Sequence, residues 1–297
     1  MSKPDLCIAI PTYNREDVLI DTINDSLKQS HNNIEIIVVD QSKSHTKKTS
    51  KALESISDPR FRYFSVDPPS VTAARNFALN NANAPIVLFL DDDVRFDKHL
   101  AKNHLGAYSE HPEISATAGR VMQSGFPIKK GVLKFDEYAI SHGVFTATES
   151  GYTNAFPGGN CSMKVLDALS VGGFDTRYYG NAFREENDMS LKMIRAGMSI
   201  FYESSAELLH LAAPYGGNRV KGHIYDSGVF YSNELFFTIR NAAKGKKLRA
   251  IKLKYREYCE VPSRRVSLRR KYLFVRGLIS GAWRFVDKRQ CVAKVRT

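Results

Sequence analysis

Cysteine is scarce in this chain. The four residues, Cys7, Cys161, Cys259 and Cys291, lie far apart in 297 positions and form no CxxC pair. That spacing excludes a cysteine-rich zinc cluster and a disulfide framework, and it makes a reducing cytoplasm the expected setting. Long apolar runs are missing too: no stretch reaches the roughly 18 uninterrupted apolar residues of a membrane-spanning helix. The opening MSKPDLCIAIP carries an Asp inside its short apolar run and no small-residue cleavage site, unlike a secretory signal. No GxGxxG follows the first apolar run, where a dehydrogenase needs it. The segment there, PTYNRED, also lacks the Gly-rich basic loop expected of a nucleotidyltransferase. There is no internal repeat and no low-complexity tract.

Excess positive charge is absent from most of the chain. The net charge is +12, yet residues 1–243 hold 25 basic and 28 acidic side chains, while 244–297 hold 18 and 3. A slightly acidic body with a basic tail is not the spread of charge along a nucleic-acid groove, so no nucleic-acid partner is expected.

What is present is a regular alternation. Leu6 to Ile10, Ile34 to Val39, Phe61 to Val66 and Ile86 to Leu90 are short apolar runs that read as strands. Between them, Arg15–Gln29 and Val71–Asn81 read as helices. Such an alternation implies an α/β fold with a mostly parallel sheet covered by helices, whose ligands bind at the carboxyl ends of the strands. Further on, Ser115–Val121, Ser199–Tyr202 and Glu207–Leu211 read as strands. Helices are expected over Lys164–Ser170, Glu185–Ala196 and 228–243. We expect one domain over 1–243, with a lobe of about 1–95 and a second over 96–243, followed by a basic helical region over 244–297.

The run VLFL-Asp91-Asp92-Asp93 is the strongest chemical signal. Three adjacent carboxylates repel one another, and a hard divalent cation such as Mg²⁺ or Mn²⁺ relieves that repulsion. With the other motifs it resembles a family 2 glycosyltransferase of GT-A fold. The matching segments are CIAIPTYNR, IEIIVVDQS, TAARNFAL, VLFLDDDV, FPGGNCSMKVLDALSVGGFD, REENDMSLKMIRAG and AELLHL, in the family's order over about residues 5–210.

The resemblance implies a nucleoside-diphosphate sugar as donor, with UDP favoured and dTDP or GDP possible, and a glycan or lipid-linked glycan as acceptor. It places Pro11, Thr12, Tyr13, Arg15 and Asp40 at the base and ribose, although Asp40–Gln41–Ser42 departs from the commoner Asp-Asp-Gly-Ser. Arg75, Asp91 and Asp92 join that donor set. Asp93, Asp91 and His210 are implied as metal ligands. Glu186 is the implied catalytic base, with Glu185 as its rival, since this sequence has Glu-Glu where relatives have Glu-Asp. Gly158, Gly159, Asn160 and Asp188 fall on the acceptor side. Separately, from position and charge, Arg219 or Lys221 in the loop after His210 is expected to close over the diphosphate. The implied reaction is inverting transfer in cell-surface polysaccharide synthesis.

The segment Arg269 to Arg289 fits a basic amphipathic helix, with Arg270, Arg276, Arg284 and Lys288 on one arc. Tyr272, Phe274, Val275, Leu278, Ile279, Trp283 and Val286 share the other, and Leu273 is out of place. This pattern suits an anionic membrane surface, so peripheral association with the cytoplasmic membrane is expected. The competing expectation is that the apolar arc packs on the body.

Overall fold

The structure is a computed structural model that describes residues 3–217, 224–287 and 289–296. The chain begins β1 (Leu6–Thr12), α1 (Asp17–Leu27), β2 (Ile34–Asp40), α2 (Lys47–Glu54), β3 (Phe61–Asp67), α3 (Val71–Asn81) and β4 (Ile86–Leu90). A short β5 (Val94–Arg95), α4 (Leu100–Glu110) and β6 (Ile114–Met122) follow. The small strands β7 (Lys134–Phe135), β8 (Ser141–His142) and β9 (Gly151–Thr153) lead to β10 (Asn160–Lys164), α5 (Val165–Ser170), α6 (Glu185–Arg195) and β11 (Ser199–His210). The last part is helical: α7 (Gly228–Asn241), α8 (Lys247–Cys259) and α9 (Arg264–Trp283), ended by the two-residue β12 (Lys294–Val295).

The main sheet runs β12-β3-β2-β1-β4-β10-β6-β11-β5. Pairs among β1, β2, β3 and β4 are parallel, as is β6 with β11, while β10 lies antiparallel between β4 and β6. The side-chain period of two sorts β1 between two cores: Leu6, Ile8 and Ile10 face one, Cys7 and Ala9 the other. Burial on both faces explains why these strands read as continuous apolar runs. Because Thr12 lies opposite Asp40 and Ala9 opposite Phe89, the ends of β1, β2 and β4 bring three polar clusters to one edge.

Two expectations needed revision. The strands expected at 199–202 and 207–211 are one bulged strand, β11, ending at His210, whose pairing with β6 slips between Glu203 and Glu207. Residues 160–164 form a central strand, whereas the loop-like glycines before them suggested none.

The helical end of the chain packs on itself. Gly277 and Gly281 lie against α7, where a Cβ would come 2.5 Å from Tyr231 Cβ and 2.9 Å from the Phe236 nitrogen respectively. Those glycines therefore serve close helix contact. Phe274 is buried there, and Leu273, out of place in the amphipathic pattern, joins the same apolar cluster. The basic arc is split, because Arg284 is buried and Arg270 stacks over Tyr225 at 5.4 Å. The apolar arc is split as well: Leu268, Tyr272, Val275, Ile279 and Trp283 form an exposed stripe, continued by Val286. Among the described residues no helix is long and apolar enough to cross a membrane.

Candidate active site

A cavity of about 500 Å³ opens at the carboxyl ends of β1, β2 and β4. Pro11 and Tyr13 form one wall, the Asp triplet and His210 another, and Gly158, Gly159, Glu185 and Glu186 a third. Most of the expected site residues meet here. Backbone strain gathers around it: Asn14, Ala182, Arg184 and Ala212 adopt positive φ of 52°, 48°, 77° and 52°, which side chains other than glycine's rarely tolerate.

At the metal end, ligand atoms of Asp91, Asp93 and His210 all lie within 4.8 Å of one another. His210 Nε2 is 3.2 Å from Asp93 Oδ1 and 3.9 Å from Asp91 Oδ2. The orientation of its ring follows from Gln123, whose Oε1 lies 2.7 Å from Nδ1. An amide oxygen can only accept, so Nδ1 carries the proton and Nε2 faces the two carboxylates. Two carboxylates and an imidazole nitrogen are a donor set that fits Mn²⁺ or Mg²⁺.

Arg15 lines the cavity, with its guanidinium engaged on the acidic side. Its guanidinium is buried, holding Asp92 at 2.9 Å and Asp93 at 3.1 Å and donating to the carbonyls of Ala213 and Tyr215. It fixes the triplet and ties down the loop after His210, so it has little left to offer a donor. Asp92, on the same wall, is nonetheless tied up within the fold: Thr12 Oγ1 donates to it at 2.7 Å, and burial raises its pKa to about 6. Thr12, also on the cavity wall, thus spends its hydroxyl proton on Asp92.

Asp40 does not line the cavity. Its carboxylate is buried and already accepts from Ser42 N and Tyr63 OH, each at 2.7 Å, with His45 Nε2 at 2.5 Å. The next residue, Gln41, is on the wall instead, pinned by hydrogen bonds of 3.1 Å to the carbonyls of Pro68 and Ser70.

Arg75 joins the two acidic ends. Buried on α3, with Phe89 and Phe174 against its guanidinium, it lies 4.0 Å from Asp91 and 3.3 Å from Glu185. Glycines allow these side chains their positions: a Cβ on Gly158 would sit 2.7 Å from Arg75 Nη2, and one on Gly159 2.2 Å from Asp91 Oδ2, so either side chain would have to move.

Glu185 and Glu186 open α6. Burial raises the pKa of both and Arg75 draws both down, while the Glu186 charge pushes Glu185 up and the Asp91 charge pushes Glu186 up. They differ in partners: Glu185 is ion-paired to Arg75, whereas Glu186, half-buried on the cavity wall, has no side-chain hydrogen bond or ion pair among the described residues. The helix start is braced by Arg184, which bonds Glu234 of α7 at 2.8 Å; Lys254 of α8 pairs with the same carboxylate at 3.0 Å.

Two acceptor-side expectations fall in the core. Asn160 is buried between His104 and the carbonyls of Arg120 and Ala206, at 2.9, 3.0 and 2.8 Å. Asp188 is buried against Arg240 at 3.0 Å and Asn241 at 2.8 Å, tying α6 to α7. Arg219 and Lys221 lie outside the described residues. Sequence reasoning missed Asn181 and Phe183, which line the cavity, and Gln123, which nothing in its neighbourhood marks. Also missed was Arg296, which donates to the carbonyls of Gln41 and Ser42 and pairs with Asp67.

A mostly parallel sheet flanked by helices, with an Asp cluster at its carboxyl edge, defines a GT-A fold. Solved structures share it over nearly the whole chain. A mannosyltransferase of Pyrobaculum calidifontis, in complex with GDP-Man and Mn²⁺, superposes with TM-score 0.59 at 16% identity, covering 97% of this chain and 77% of that one. GalNAc-T7, with UDP, GalNAc and Mn²⁺, gives 0.65 at 14%, covering 96% and 58%. The family model described as glycosyl transferase family 2 matches residues 7–163, and the chain belongs to that family. Among curated relatives, a putative teichuronic acid biosynthesis glycosyltransferase of Bacillus subtilis is 31% identical over 131 residues, 43% of this chain and 52% of its own length. A putative colanic acid biosynthesis glycosyl transferase of Escherichia coli is 28% identical over 113 residues, 38% and 39%. The chain thus spans about half or less of the length of these relatives.

Proposed function

We propose that the chain is a metal-dependent, inverting glycosyltransferase. It moves a sugar from a nucleoside-diphosphate sugar to a hydroxyl of a glycan or lipid-linked acceptor during cell-surface polysaccharide synthesis. The observation that carries this reading is the convergence of Asp91, Asp93 and His210 in the same cavity as Glu186. The relatives named for teichuronic and colanic acid synthesis support the pathway class, and the neighbours solved with GDP-Man and UDP support a nucleotide-sugar donor. UDP is the first candidate, with GDP and dTDP behind it.

Asp91, Asp93 and His210 would hold Mn²⁺ or Mg²⁺, which when bound neutralises the diphosphate and the charge it gains on leaving. Tyr13 offers a ring face to the base, and Gln41 a polar wall beside it. Glu186 takes the proton of the acceptor hydroxyl as its oxygen bonds to the anomeric carbon from the side opposite the diphosphate. The bond from that carbon to the phosphate oxygen breaks, the nucleoside diphosphate departs, and configuration inverts. A single base suffices, because no group of the protein becomes bonded to the sugar. The raised pKa of Glu186 makes it a stronger acceptor of that proton. Glu185, held by Arg75, keeps the cavity's charge in place.

The exposed stripe on α9, flanked by exposed Arg265, Arg269 and Arg276, supports docking on an anionic membrane surface at the cytoplasmic face. The test of the central reading is a thermal-shift titration with UDP, GDP and dTDP, each with and without Mn²⁺. A stabilisation by one of them that requires the metal is expected. No metal-dependent shift with any of the three would sink the proposal.

A further inference from the structure

A second cavity, of about 520 Å³, lies where α9 ends; its walls include Arg177, Tyr179, Ser280, Trp283, Arg284 and Arg289. Three of these are guanidinium groups, and they differ in how their charge is met. Arg177 is paired with Asp175 at 2.6 Å and Arg289 with Asp287 at 2.8 Å. Arg284 is only 7% exposed and has no carboxylate within ion-pair distance among the described residues. Its hydrogen bonds go to neutral acceptors, Asn233 Oδ1 at 2.9 Å and Ser232 Oγ at 2.6 Å, and its plane lies 4.3 Å from the Tyr179 ring. Asp175 is already shared by Arg177 and Arg240. Burial lowers the pKa of Arg284, yet a guanidinium keeps its proton. A buried charge is ordinarily paired, so this wall presents a desolvated cation suited to an anion from outside the chain.

Two features say what brings the anion. Trp283 belongs both to the cavity wall and to the exposed apolar stripe, which therefore runs to the cavity's rim. The cavity is also joined to the catalytic one by a short segment: Tyr179 walls the former, Asn181 and Phe183 the latter. Asn233 bridges the two, accepting from Arg284 and donating to Tyr179 O at 2.9 Å and Asn181 Oδ1 at 3.4 Å.

We propose that this cavity binds the phosphate or diphosphate of a lipid-linked acceptor. The anion sits against Arg284 and Arg289, the hydrocarbon follows Trp283 and Ile279, and the glycan extends past Asn181 and Phe183 toward Glu186. The assignment rests on the glycosyl-transfer reading for its acceptor role; the phosphate is a handle and undergoes no chemistry here.

Trp283 is the only tryptophan of the chain, so its emission reports on this wall directly. The full chain is titrated with a short-chain prenyl diphosphate, with inorganic pyrophosphate, and with a short-chain phosphatidylglycerol. Expected is a saturable change with the prenyl diphosphate, at least tenfold tighter than with the other two. Arg284→Gln weakens it at least tenfold, and Arg289→Glu, on an exposed side chain that folding does not need, weakens it about threefold. No saturable response, or equal affinity in wild type and Arg289→Glu, overturns the proposal. Pyrophosphate binding as tightly as the prenyl compound means a free-anion site, and phosphatidylglycerol binding more tightly means a membrane anchor; each overturns the acceptor assignment. Nucleoside diphosphate and Mn²⁺ are assigned to the other cavity, so the two readings fail separately. A metal-dependent nucleotide shift without a prenyl diphosphate response defeats this inference alone, and the reverse pair of results defeats the glycosyl-transfer reading while leaving a lipid-phosphate site.

Discussion

The catalytic body and the C-terminal helices carry concentrated charge of opposite sign, and the two regions use it differently. In the body, Asp92, Asp40 and Asp188 find cationic partners within the fold, while Asp91 and Glu186 face the cavity. In the C-terminal region Lys254 is buried against Glu234 and Arg284 against neutral partners, and the partly buried Arg296 is held by backbone carbonyls and Asp67. The excess of +15 there is thus partly structural, and what remains outward beside Arg265, Arg269 and Arg276 is an apolar stripe. Net charge located neither site. The informative charges are those whose partners must come from outside the chain.

The sharpest way to break the comparison is to neutralise one outward carboxylate and one inward one. Glu186→Gln should keep metal-dependent nucleotide binding and lower transfer by about 10³-fold, the scale of a lost general base. Asp188→Asn, inside the fold, should lower thermal stability with a much smaller fall in turnover per folded molecule. Steady-state rates with a radiolabelled donor decide; full activity in Glu186→Gln would move the base to Glu185.

A second test concerns a titratable group that the body keeps neutral. His104 is fully buried between Ser162 at 3.0 Å and Asn160 at 2.9 Å. Burial lowers its pKa from 6.5 to about 4, so between those values the unfolded chain binds a proton that the folded chain does not. Its contribution is therefore fully present above about pH 6.5 and is lost as the pH falls toward 4, an expected loss of about 3 kcal/mol at the shift cited. Urea unfolding of wild type and His104→Gln at pH 7 and pH 4.5 should show the difference between the two proteins shrinking by about 2 to 3 kcal/mol. Parallel pH dependences would mean that His104 charges freely in the fold.

The same contrast explains what the sequence made legible. Strands β1 to β4 were visible because burial on both faces leaves an unbroken apolar run, and the Asp triplet was visible because adjacent carboxylates are rarely without purpose. Motif order placed Glu185, Glu186 and His210 in one cavity across more than a hundred residues. What stayed hidden was direction. Nothing in the spacing says that Thr12 turns its hydroxyl to Asp92, that Arg15 faces inward, or that Asn160 crosslinks the core, since each depends on neighbours distant in sequence. The helical wheel of α9 failed for a related reason: it assumes one apolar side, whereas Gly277 and Gly281 create a second, tighter contact with α7 that reverses Arg284.

Substitutions on the stripe sharpen the comparison further. Val275→Glu with Ile279→Glu changes only exposed positions and leaves the glycine contact intact, so folding and nucleotide binding should be unchanged. Sedimentation with phosphatidylglycerol-containing vesicles should fall at least tenfold, in line with the cost of placing two carboxylates at an anionic interface. Undiminished sedimentation would put the membrane surface elsewhere.

The smallest effect expected tests whether the C-terminal region reaches back into the catalytic one. After α9 the chain returns across the body, Cys291 N bonding Thr176 Oγ1 at 2.9 Å, and β12 pairs with the outer edge of β3. This carries Arg296 to the loop after β2, where it donates to Gln41 O at 3.0 Å and Val66 O at 3.1 Å, and to Asp67 Oδ1 at 2.8 Å. Gln41 lines the donor cavity, so a guanidinium that fixes its carbonyl limits where the wall can stand. Arg296→Ala should raise the KM for the donor about fivefold, ~1 kcal/mol, with kcat nearly unchanged, because only donor placement is loosened. Arg296→Lys retains the charge but loses the planar fork that reaches several carbonyls at once, so it should recover only part of the effect. An equal fall in kcat and stability, with KM constant, would reduce Arg296 to an edge clamp, and the basic region would then serve the donor site through nothing but the fold it completes.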